Sequence, residues 1–195
     1  KKIKDGFVTS FYYNLIGAAF FLPFFLYNPV LPSSTKMWII TLLTGATIAI
    51  GNYLIMNAYK DINPSSISVL GKTKYIWLLL ISLFFIKEDF SLLQLVGIAL
   101  ILVASLLIVD FSNWRITKKG TIFVLVCAIF ISLYGFGLKL IVLDYGIYSS
   151  GFFLSLIATI MNIIFMPNFL KRTKIKLDNF KFLVPICVVG FLSNL

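Results

Sequence analysis

The chain has 195 residues, of which 60% are hydrophobic and 12% charged, with a mean hydropathy of +1.01. A soluble domain carries about 25% charged residues, so this composition excludes an ordinary water-soluble fold and points to an integral membrane protein. The net charge of +10 does not indicate nucleic acid, because the basic residues stand at the ends of apolar runs, where a positive-inside bias puts them.

A hydrocarbon core ~30 Å thick is crossed by about 20 apolar residues at 1.5 Å rise. In chain order the segments of this kind are Phe7–Tyr27, Met37–Tyr59, Ser65–Ile86, Ser91–Val109, Gly120–Leu143, Tyr148–Met166 and Phe182–Leu195. The predicted fold class is an all-α polytopic membrane protein, a helical bundle. The first residue is Lys1 rather than Met, and the last segment is about two-thirds of a span. Further helices are therefore expected beyond both ends. Phe7–Tyr27 is too long for a signal-peptide core and lacks a small-residue cleavage site.

The first span carries Ser10, Tyr13, Asn14 and Gly17 on one face. Asn28–Lys36, with two prolines and two serines, reads as a loop. The second span aligns Gly45, Ala49, Asn52 and Tyr53. Lys60–Pro64 is a short turn in which Asn63 is the expected N-cap and Pro64 the first helical residue. The third span aligns Ser65, Ser68, Lys72 and Tyr75. Lys87–Phe90 is another short turn, and the polar Asp110–Lys119 is the expected linker between halves. The fifth span aligns Ala128, Ser132, Gly135 and Lys139. Each set follows i, i+3/i+4 spacing. Such faces turn away from lipid, because small residues admit close backbone approach and polar groups avoid hydrocarbon. Two readings stay open: helix packing, or the lining of a cavity.

All seven carboxylates fall in loops or at span ends, and there is no histidine. Paired intramembrane carboxylates, a Ser/His set and metal ligands are all missing from the sequence, so neither an enzyme, a cofactor nor a metal site is expected. Cys127 and Cys187 lie in apolar segments and read as small buried hydrophobes. Lys139, near the end of its span, reads as snorkelling to the interface. Lys74 is about ten residues into its span, ~15 Å deep at helical rise, with Lys72 slightly shallower. Two residues apart on a regular helix, they point to different faces. One of them, preferentially Lys72, is expected to face a water-filled cavity and attract an anionic substrate group.

The basic loops alternate: Lys1, Lys2, Lys4, Lys60, Arg115, Lys118, Lys119 and the lysines and arginine of 171–181 fall on one side, Lys36 and Lys87 on the other. This predicts that the first side is cytoplasmic. A faint repeat relates Phe11-Tyr-Tyr-Asn-Leu-Ile-Gly-Ala to Phe152-Phe-Leu-Ser-Leu-Ile-Ala-Thr, and Gly51-Asn52 to Ser193-Asn194 at nearly the same offset.

Three stretches together resemble a known family. They are Ala58-Tyr-Lys-Asp-Ile-Asn-Pro-Ser-Ser-Ile-Ser-Val-Leu, Trp77-Leu-Leu-Leu-Ile-Ser-Leu-Phe-Phe-Ile-Lys-Glu88, and the Gly97-containing run from Gln94. The chain resembles the EamA-like branch of the drug/metabolite transporter superfamily. Lys118-Lys-Gly-Thr-Ile-Phe, Tyr134-Gly-Phe-Gly and Lys139 look like the opening span of that family's second repeat. The resemblance implies two five-helix repeats, with this chain covering about helices two to eight of ten. Residues 1–110 would be the last four helices of the first repeat, 111–119 the linker, and 120–195 the first three helices of the second. The family often places a proline where this chain has Lys74-Tyr75. Small multidrug-resistance relatives carry a membrane-embedded glutamate where Ile131 stands here. The resemblance also implies that 110–119 lies outside the cell, against the lysine count.

The expected function is a secondary transporter moving a small metabolite or drug across the cytoplasmic membrane by alternating access. The alternatives are a non-transporting subunit or scaffold, and a lipid-linked sugar flippase. Expected cavity residues are Asn52, Tyr53, Lys72, Tyr75, Tyr134 and Asn194. Expected close-packing residues are Gly45, Ala49, Gly97 and Gly135. The bilayer and a small-molecule substrate are the expected partners, with a homo-oligomer left open.

Overall fold

The computed structural model describes residues 6–85, 91–107 and 117–165. Among these the elements are α1 (Gly6–Tyr27), α2 (Thr35–Asp61), α3 (Pro64–Gly71), α4 (Lys74–Phe85), α5 (Leu92–Leu107), α6 (Lys118–Tyr145) and α7 (Ile147–Phe165), with no strand. The chain is an all-α polytopic membrane protein. Five runs are long and apolar enough to span: Val8–Tyr27, Thr35–Asp61, Pro64–Phe85, Lys118–Tyr145 and Ile147–Phe165. The apolar stretch of α5, Leu92–Ala104, is shorter. The segment Phe182–Leu195 with Cys187 and Asn194, the turn Lys87–Phe90 and most of the linker 111–119 lie outside the described residues.

Local chemistry sets the helix ends. Asn63 stands at the N-cap of α3 with extended backbone and Pro64 begins the helix, but the Asn63 side chain makes no capping bond. Proline suits that first position because its missing N–H would have no partner there. Gly146 separates α6 from α7 as a single residue at φ +80°, with its N–H on the Val142 carbonyl at 3.0 Å. That left-handed conformation strains any residue with a Cβ, so glycine closes the hairpin in one step.

The chain forms two compact units, residues 1–49 with 137–195 and residues 50–136, the division falling inside α2 and α6. In the first, α1 packs on α7. The pair is antiparallel: Phe21 faces Gly151, Phe25 stacks on Phe152 at 4.7 Å, and Phe24 stacks on Tyr148 at 5.2 Å. On α2, Trp38 meets Phe153 and Gly45 meets Ile157, so α2 runs parallel to α7. From α6, Tyr145 meets Phe153, and its hydroxyl lies 2.9 Å from that of Thr41. Thus α7 is the central helix of this unit. Lipid is as apolar as the side chains, so contact between spans depends on close fit and hydrogen bonds rather than on water expulsion. The small residues supply the fit. A Cβ on Gly151 would sit 2.9 Å from the Phe21 ring, one on Gly45 2.5 Å from Ile157, and one on Gly137 would collide with Thr44. At the end of this unit, the Ser33 N–H and hydroxyl both donate to the Asp144 carboxylate, at 3.0 and 2.5 Å, and the Val30 N–H donates to Ser149 at 3.4 Å.

In the second unit, Ala58 and Ile62 of α2, Ile67 of α3 and Val124 of α6 form a buried cluster extended by Ile55, Leu70 and Phe123. Gly120 lies against Ile62, which brings the start of α6 to the end of α2. Farther along the same antiparallel pair, the Cys127 thiol donates to the Gly51 carbonyl at 3.2 Å.

Candidate functional site

The third span is not one helix. It breaks at Lys72-Thr73, between α3 and α4. The regular i→i−4 ladder gives way to i→i−3 bonds: Lys72 N–H to Val69, Thr73 N–H to Leu70, Tyr75 N–H to Lys72 and Ile76 N–H to Thr73, all 3.0–3.2 Å. Two residues account for it. Gly71 costs a helix about 1 kcal/mol relative to alanine. The Thr73 hydroxyl donates to the Leu70 carbonyl at 2.7 Å, competing with the backbone for that acceptor. From α6, Ser132 donates to the carbonyl of Lys74, the first residue of α4, at 2.7 Å. The break is therefore braced by a neighbouring helix.

The interruption changes what the lysines can do. On a regular helix Lys72 and Lys74 would diverge. Here Lys72 ends α3 and Lys74 begins α4, and both ammonium groups reach the Tyr75 ring, at 5.9 and 5.2 Å from its centroid. The expectation of different faces assumed helical geometry across Gly71-Lys72-Thr73, which the backbone does not keep. Both lysines are half-buried. Magnitudes show that the ring alone is insufficient. A cation at the centre of a spanning helix costs about 2.5–3.5 kcal/mol even on the mildest scale. A cation–π contact returns about 0.5–2 kcal/mol, and one ring serves two cations. Solvent, an anion or a group outside the described residues supplies the rest.

Other polar groups stand at the same level. On α6, Cys127 donates its thiol to the Gly51 carbonyl, and Ser132, five residues on, reaches the Lys74 carbonyl. Asn52, next to Gly51, keeps a buried Nδ2 with no hydrogen-bond partner among the described residues. Nearer the start of α3, the buried Ser66 hydroxyl is likewise without a partner among them. Unsatisfied buried groups of this kind are rare in native structures and call for a ligand, a water or strain.

Of the expected cavity residues, Asn52, Tyr53, Lys72, Tyr75 and Tyr134 all belong to the 50–136 unit and are half-buried, while Asn194 lies outside the described residues. Gly45 and Ala49 belong to the other unit, where both are buried. Gly97 has no described neighbour within 4 Å of where a Cβ would stand, and Gly135 has only Leu78 at an ordinary 3.7 Å. Neither glycine has a close approach among the described residues. The close approaches of Gly120, Gly137 and Gly151 were not singled out in the sequence, since nothing in composition tells a glycine facing a partner from one facing lipid. Lys139 is exposed, as a snorkelling lysine would be.

Five apolar spanning runs, one of them broken and carrying two cations, define a polytopic membrane protein. The model of the EamA-like transporter family matches residues 4–110, and the chain belongs to that family. It is a membrane transporter of the drug/metabolite type, from a family of transporters rather than enzymes. No curated protein matches the chain.

Proposed function

We propose that the protein is a secondary transporter that moves a small metabolite or drug across the cytoplasmic membrane by alternating access. The observation that carries this reading is the interruption of the third span at Gly71–Thr73, with Lys72, Lys74 and Tyr75 around it. Secondary transporters place substrate at broken helices near the bilayer midplane, where non-helical backbone can line a cavity. Lys74 stands about ten residues from Pro64, ~15 Å along a helix, which is that depth.

The pairing of α1 with α7 supports two inverted repeats, residues 1–110 and 120–195. Phe11–Ala18 and Phe152–Thr159 are the echoed segments, and the helices that carry them pack antiparallel. Repeats of five spans each place equivalent helices in opposite directions. The cytoplasmic side is the end where Lys60, Lys118 and Lys119 gather.

Reconstitution of the full-length protein into liposomes tests this reading, with flux measured for labelled organic anions, amino acids, sugars and cationic drugs. Flux of at least one class, abolished in a double Lys72→Gln, Lys74→Gln variant or shown to be saturable, is the expected result. No flux of any solute, together with tight capture of a membrane partner, would instead make the chain a scaffold.

A further inference from the structure

Resting on the transporter reading, the geometry points to a substrate class: the α3–α4 break takes a small organic dianion, either a phosphate monoester or a dicarboxylate, with Lys72 and Lys74 each facing one of its charges. The donor and acceptor inventory carries this. Each ammonium offers three donors and no acceptor. Among the described residues these two meet only the Tyr75 ring. Asn52, next in sequence to the Gly51 that Cys127 bonds, adds a buried amide donor with no partner among the described residues. The acceptors nearby are already engaged: the Leu70 carbonyl takes both the N–H and the hydroxyl of Thr73, the Lys74 carbonyl takes Ser132, and the Gly51 carbonyl takes Cys127. A site with donors in excess and acceptors in use calls for oxygen-rich anions and disfavours cations.

The charge count selects among anions. Two ammonium groups converge on one ring, where a single carboxylate neutralises one of them and leaves the other desolvated. A phosphate monoester, with its second ionisation near pH 6, or a pair of carboxylates matches both. Tyr75 has a positioning role: its ring holds both ammonium groups, at 5.9 and 5.2 Å from its centroid.

Binding to the full-length protein in detergent, followed by calorimetry at pH 7.5, tests the charge rule with probes matched in size. Succinate is compared with butyrate, and phenyl phosphate with phenyl sulfate. At least one dianion is expected to bind about tenfold or more tightly than its monoanion. Lys72→Gln and Lys74→Gln are each expected to weaken it about tenfold, a difference of the size one lost charge contact gives, and to bring the preference close to one. Lys72→Arg, Lys74→Arg and Tyr75→Phe, which keep the charges and the ring, are expected to retain it. A preference confined to succinate assigns the dicarboxylate, and one confined to phenyl phosphate assigns the ester. Monoanions bound as tightly as dianions, or a preference untouched in both glutamine variants, would overturn the proposal. The same protein in liposomes separates this failure from that of the transporter reading. Lysine-independent flux of a neutral solute keeps transport and removes the dianion site. Charge-selective binding without flux of any solute does the reverse.

Discussion

In the unit of residues 1–49 and 137–195, Asn14 donates to the Ser10 carbonyl at 2.9 Å, Asn162 to Ala158 at 2.8 Å and Thr159 to Ser155 at 2.7 Å. Each polar side chain turns back to its own helix one turn earlier. In residues 50–136, Asn57 does the same with Tyr53, but the Nδ2 of Asn52 on that helix is buried with no described partner. The glycines do not divide the units in this way: Gly45, Gly137 and Gly151 in the first and Gly120 in the second each have a neighbour where a Cβ would stand, whereas Gly71 and Gly97 have no described neighbour within 4 Å. Among the described residues, the buried polar atoms without a partner, Asn52 Nδ2 and the Ser66 hydroxyl, both belong to the second unit, which also holds the broken span. A polar stripe in a membrane helix therefore does not report function by its presence. The polar group to test for function is the one that no described residue satisfies.

The contrast can be broken by substitution. The largest stability effect is expected at Gly137→Ala, whose methyl would meet the stiff, β-branched Thr44. Overpacking of this kind costs about 1–3 kcal/mol, and a fall in Tm of the purified protein would show it. Gly97→Ala, with nothing nearby, should leave Tm unchanged or higher; equal losses at both sites would remove the distinction.

Asn52→Leu is expected to hold or raise stability, because an unpaired buried amide costs about 1–3 kcal/mol, while flux falls severalfold. Asn14→Leu removes a made bond and should lower stability by about 1 kcal/mol. Thermal unfolding beside liposome flux compares them, and a stability loss at Asn52 as large as that at Asn14 would mean that Asn52 is a packing residue.

Gly71→Ala should raise stability by up to about 1 kcal/mol, the helix-propensity difference, yet slow transport by favouring a continuous α3–α4. Faster or unchanged flux would show that the break is not needed. The smallest effect is expected at Asp144→Asn, which weakens an exposed clasp to Ser33. Its Tm shift should be the least of the series, with flux retained.

Much of the fold was legible because length and hydropathy govern it. α1, α2, α6 and α7 begin and end within about two residues of the apolar runs, the precision expected of helix ends. Asn63-Pro64 marks the start of α3 as its chemistry requires. The break was not legible, since Ser65–Ile86 is one continuous apolar run and hydropathy does not register lost hydrogen bonds. Its signals were present in Gly71 and Thr73, a weak helix former and a hydroxyl that competes for a backbone acceptor. Missing it separated Lys72 from Lys74, which the structure brings to one ring. The candidate residues of the 50–136 unit could be named from the sequence, but the distinction between satisfied Asn14 and unsatisfied Asn52 could not. Both look alike at i, i+3/i+4 spacing, and only the positions of other helices decide it.

The bond from Asn14 to Ser10 also bears on how the protein is made. α1 leaves the ribosome some 140 residues before α7, its partner, a delay of roughly 7–30 s at ordinary elongation rates. During that time α1 has no α7 to lie against. A helix whose amide is already bonded to its own carbonyl can rest in lipid alone, without a polar group seeking a substitute. α7 has the same property through Asn162 and Thr159. Self-satisfied polar residues thus let each half enter the membrane as an independent, inert helix and reserve pairing for the moment both are present.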